Sequence, residues 1–147
     1  MKQYRVDQIL SHVRHWEKRL VKLFESLRDD GQDNQQLEFA FVHQLKIVDA
    51  LNRVDFESYK NVEFLRYIPE FHQVEIVPPA AFSSEHSNEQ LTLFVVETEN
   101  KLCDYYRHLR NVLAHTRLKE LFDMLIEWKM AQLQLLKLSN ESLHLVK

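Results

Sequence analysis

Five polar side chains fall within apolar helical stripes of this chain: Glu17, Gln44, Thr98, Lys129 and Gln132. Advancing about 100° per residue along each hydrophobic run sets them among the leucines instead of opposite them. A site for two hard cations needs several carboxylates and an imidazole for each metal. Here a single carboxylate, Glu17, is grouped with two amides, a hydroxyl and an ammonium, and one turn after Gln44 stands Ile47 in place of a histidine. The set reads in two ways. Lys129 pairs with Glu17 in a small buried polar core, with Gln44, Gln132 and Thr98 supplying hydrogen bonds. Otherwise it lies at a stripe edge, stem buried and ammonium in water. Neither reading calls for a metal or any other cofactor. Glu97, Glu99 and Asp104 fall off the third stripe and Glu127 on the far side of the fourth, as a charged outer face.

The elements that must position these residues are helical. With 1 Gly and 3 Pro in 147 residues, turn formers are too scarce for a hairpin-built protein. Apolar spacing predicts helices over about 6–27, 34–54, 88–113 and 117–137, with Thr116 as a cap for the last. Ser87 and Gln90 have capping-box spacing ahead of the third. The second and third are separated by a long segment rich in aromatic residues, including Phe56, Tyr59, Phe64, Tyr67, Phe71 and Phe82. Within it, about 57–68 predicts a short helix. Two helix hairpins joined by one long, partly helical crossover describe a single all-α domain over 1–147, an up-down four-helix bundle of the ferritin-like kind.

The stretch FDMLIEWKMAQLQLL, Phe122 to Leu136, resembles the last helix of rubrerythrin-type ferritin-like proteins, where a Leu-Phe pair precedes Glu-x-x-His by the same interval. TENKLCDYYRHL resembles their third helix, with Thr98 where the Glu stands, seven residues before Tyr105. The chain as a whole is similar to an uncharacterised bacterial ferritin-like family, through the His43-Gln44 step, the Ala50-Leu51 ending and the Tyr-Ile-Pro segment at Tyr67 to Pro69. The resemblance implies di-iron ligand positions at Glu17, Gln44, Ile47, Thr98, Lys129 and Gln132, of which Glu17 alone keeps a ligand-type side chain. It therefore implies a non-catalytic domain that has lost its metal site and acts as a binding or structural module. A residual metal-binding oxidoreductase would have to rest on Glu17.

A rival from another class rests on RNVLAH, Arg110 to His115. It matches the Arg, Asn, three residues, His pattern of HEPN ribonucleases, all-helical and usually dimeric proteins. That resemblance implies His115 as a base and Arg110 as an electrostatic clamp on a phosphodiester attacked by its own 2′-hydroxyl. The plainer reading has Arg110 facing solvent and His115 closing the end of the third helix. His12 and His15, spaced i, i+3, could chelate a surface metal, but no further ligand is placed to complete a site. Cys103 reads as a small packed residue on a flank.

The net charge of −3 argues against nucleic acid and anionic membrane surfaces as partners, since both select basic faces. One cysteine leaves no intramolecular disulfide, and no apolar run reaches membrane-spanning length, so a cytoplasmic protein is expected. Met124, Trp128, Leu135 and Leu138 give the fourth helix more apolar surface than one core needs. This implies a homodimer that buries the surplus, and leaves any other protein partner unknown.

Overall fold

The computed structural model describes residues 4–30, 34–62, 64–65 and 88–145. The first helix, α1 (Val6–Asp30), forms because Val6, Ile9, Leu10, Val13, Leu20, Leu23, Phe24 and Leu27 make one stripe, and all of them are buried. It runs three residues past its predicted end.

The second helix, α2 (Gln35–Asn52), starts where Asn34 can cap it. The Asn34 side-chain oxygen accepts from the backbone N–H groups of Gln36 at 3.1 Å and Leu37 at 3.3 Å, so two of the four donors left over at a helix start are satisfied. At the other end the Arg53 N–H bonds back to Asp49 and Ala50 carbonyls, and the helix stops two residues short of the predicted 54.

The short helix predicted over 57–68 is corrected. A single 3-10 turn covers Phe56–Tyr59, with the Ser58 hydroxyl donating to the Asp55 carbonyl at 2.6 Å. Beyond it, β2 (Phe64–Leu65) pairs antiparallel with β1 (Tyr4–Arg5), Tyr4 opposite Leu65. Backbone groups that a lone short helix would leave to its own ends find partners here on the strand leading into α1. The rest of that prediction, the aromatic residues from Tyr67 to Phe82 and the Ser87 cap lie outside the described residues.

The remaining helices are α3 (Asn88–Val112) and α4 (Thr116–Leu145), joined by Leu113, Ala114 and His115. The Lys119 N–H donates to the His115 carbonyl at 3.0 Å, so α4 opens on His115, one residue before the predicted cap at Thr116. It also continues eight residues past the predicted 137, since neither Gly nor Pro occurs between Thr116 and Leu145.

The four helices pack as a bundle: α1 on α2, α2 on α4, α4 on α3, and α3 on α1. One continuous core of aliphatic and aromatic side chains fills it, each fully buried Leu or Phe contributing roughly 1.5–3 kcal/mol. At the end of α3, Val112 stays 41% exposed and Leu113, just past the helix, is buried. No helix among the described residues is long and apolar enough to cross a membrane.

Candidate functional site

Midway along the bundle each helix turns one or two polar side chains into the core: Glu17 from α1, Gln44 from α2, Glu99 and Tyr106 from α3, Lys129 and Gln132 from α4. All six are completely buried. The Lys129 ammonium is the centre. It forms ion pairs with Glu17 Oε1 and, at 3.0 Å, with Glu99 Oε1. It also donates to the amide oxygens of Gln44 at 3.3 Å and Gln132 at 3.4 Å.

Gln44 is the most fully used member. Its Nε2 donates to the Glu17 carbonyl oxygen at 2.8 Å and to Glu17 Oε1 at 2.9 Å. Its Oε1 accepts from Lys129 and, at 2.7 Å, from Gln132 Nε2. Two donors and two acceptors are therefore all engaged, and the reverse amide orientation would set its NH2 against the ammonium. The Tyr106 hydroxyl completes Glu17, donating to Oε2 at 2.6 Å. Burial, then the charge and hydrogen bond of Glu17, hold the Tyr106 pKa well above its ordinary value, so the phenol keeps the proton it donates.

The charges settle the protonation states. Burial works against the charge on Lys129, but Glu17 and Glu99 together raise its pKa above the ordinary lysine value, and it stays an ammonium. Glu99 goes the other way. Burial, reinforced by the Glu17 charge and only partly opposed by Lys129, pushes its carboxyl up to about 7. Its Oε2 has no hydrogen-bond partner among the described residues. Below neutrality the cluster is a balanced Glu17–Lys129 pair beside a neutral acid; above it, an extra negative charge sits in the core.

Four of the five inward residues expected from the stripes are brought together: Glu17, Gln44, Lys129 and Gln132. Lys129 has no exposed surface, so the stripe-edge arrangement with a solvated ammonium is not the one adopted. Thr98 is buried but does not join them; its hydroxyl donates to the Phe94 carbonyl of its own helix at 3.0 Å. The place expected for it is taken by Glu99, a residue whose spacing predicts the outer charged face. The reason is the width of the buried arc on α3, which packs on both α1 and α4 and so buries residues on either side of the stripe. Glu97 and Asp104 remain exposed, as does Glu127. Tyr106 was missed altogether. A signal existed: Glu99 and Tyr106 share the seven-residue spacing of Thr98 and Tyr105.

Around the cluster, His43 of α2 lies edge-on to Trp128 of α4, ring centroids 5.9 Å apart. Burial, then the charges of Lys129 and Lys46, lower its pKa, so it is neutral at physiological pH. Cys103, one turn from Glu99, is buried, and burial pushes its thiol up to about 11; it is a packed, unreactive thiol.

Arg110 and His115 are held in different settings. The Arg110 Nε donates to Asp123 at 2.9 Å across the α3–α4 surface. His115 stands edge-on to Tyr59, centroids 5.6 Å apart, and lines a cleft with Ser58, Val62 and Arg117 that does not include Arg110. His12 and His15 are exposed on α1, and among the described residues no three His, Cys, Asp or Glu side chains come together as a metal-holding group.

Compared with known proteins, the chain matches no family model, no curated protein and no solved structure.

Proposed function

We propose that this chain is a non-catalytic ferritin-like bundle whose metal centre has been replaced by an ion-pair network, and that it works as a binding or structural module. The observation that carries the reading is the Lys129 ammonium buried between Glu17 and Glu99 at the middle of the four helices. Ferritin-like di-iron bundles take one Glu from each of two helices and Glu-x-x-His from each of the other two. On that pattern Glu17 and Glu99 are the two single carboxylates, and both paired motifs are gone, reading Gln44 with Ile47 and Lys129 with Gln132. The donor set does not fit two iron ions. It offers two carboxylates, two neutral amides and no imidazole, and the Lys129 ammonium already stands between the two carboxylates that a cation would need.

The test is metal analysis of the purified protein by mass spectrometry, with absorbance followed after ferrous iron and air are added. The expected outcome is no stoichiometric metal and no oxo-bridge band. Stoichiometric iron with such a band would overturn the proposal and make the chain an oxidoreductase.

A further inference from the structure

The outward face of α2 carries three large apolar side chains among its charged ones. Phe39 is 51%, Val42 39% and Leu45 43% exposed, while Leu37, Ala40, Phe41, Ile47 and Leu51 on the opposite face are buried. Large apolar side chains clustered on an exposed face mark an interaction surface. At about 100° per residue, Gln35, Glu38, Phe39, Val42, Leu45, Lys46 and Asp49 occupy one arc centred on Val42, and all seven are exposed. On the adjoining α4 edge, Trp128 meets His43 of α2 and is only half-buried.

We infer that this face binds the same face of a second copy of the chain, the two α2 helices crossing antiparallel at Val42. The argument is self-complementarity, which a two-fold interface requires. Glu38, Val42 and Lys46 form one i, i+4 row, and the commonest helix crossing aligns such rows. With a two-fold axis at Val42, the Glu38 of one copy lies opposite the Lys46 of the other, twice over. Val42 meets Val42, and Phe39 and Leu45 close over that contact from both sides. Within the chain these charges are weakly committed. Lys46 has no ion pair among the described residues, and Glu38 has only Arg28 at 3.8 Å, both side chains substantially exposed. By contrast Asp49 is already paired with Arg53 at 2.9 Å, which leaves Glu38 and Lys46 to set the register. This inference uses the outer face of α2 and stands apart from the inner network on which the proposed function rests.

The test is the oligomeric state of the full chain, by sedimentation and light scattering, for the wild type and three variants. Circular dichroism checks that each variant keeps its helices, as it should, since every substituted side chain is exposed. The wild type is expected to be dimeric. Val42→Asp and Glu38→Lys should each give monomers, the second because two lysines then face each other, and Glu38→Lys combined with Lys46→Glu should restore the dimer. A monomeric wild type would overturn the inference. A dimer untouched by Glu38→Lys, or one that the charge swap does not restore, would equally sink this crossing.

Discussion

Lys129 is the residue on which the interior depends. Removing one partner of a buried charge group costs more than the group contributes net, because the remaining charges lose their compensation without regaining water. Lys129→Met leaves Glu17 and Glu99 facing each other in the core and should lower the unfolding free energy by about 3–5 kcal/mol. Urea denaturation measures it, and a loss under about 1 kcal/mol would mean that the ammonium is not the compensating charge. Glu99 sets the pH dependence. Its folded pKa of about 7 lies above its ordinary value of 4.5, so the folded protein keeps a proton that the unfolded chain releases. That contribution to stability is complete below the ordinary value and is lost as pH rises through neutrality. Lys129 acts only at the alkaline end: its raised pKa keeps the stabilising ammonium until pH climbs past the ordinary lysine range. Glu99→Gln keeps an acceptor for Lys129 and removes the titration. Stability measured between pH about 5 and about 8 should decline in the wild type and stay flatter in the variant. Parallel pH profiles would assign the decline to another group.

At the scale of elements, capping and spacing decide where helices begin, and lateral packing decides how wide a face each one buries. Asn34 satisfies two N–H groups of α2, and a cap of this kind is worth about 1 kcal/mol. Asn34→Ala should cost about that much in thermal or urea unfolding, and Asn34→Ser or Asn34→Asp should recover most of it. A neutral Asn34→Ala would show that water serves those donors equally well. The two caps expected from sequence fare differently: Thr116 yields its position to His115, and Ser87 lies outside the described residues. The 3-10 turn and the β1–β2 pairing replace the predicted short helix because residues 4–5, sixty positions away in sequence, supply a partner. No local pattern reveals such a partner.

For the whole molecule, the wide apolar surface of α4 has two sides. Phe122, Leu125 and Leu136 go to the core, and Trp128 and Leu135 pack partly against it. What remains exposed includes Met130 at 52% and Leu138 at 40%. The more coherent exposed cluster is on α2, at Phe39, Val42 and Leu45. If two copies pair there, folding and association are linked, and the unfolding midpoint should rise with protein concentration.

Much of this protein was legible in its residue order. Scarce glycine and the 3.6-residue spacing of leucines and aromatics determined an all-α chain and the approximate extent of four helices, because helix formation and amphipathicity are properties of short windows. The same spacing turned Glu17, Gln44, Lys129 and Gln132 inward. Which of those side chains touch, and through which atoms, was decided by the tertiary structure. Glu99 and Tyr106 entered the site because α3 is buried against α1 and α4 at once, so its inward arc is wider than a single stripe. Thr98 dropped out because its hydroxyl is satisfied one turn back on its own helix. Position on a helix is local, but the width of the buried face depends on how many neighbours the helix has, and only the packed bundle sets that number.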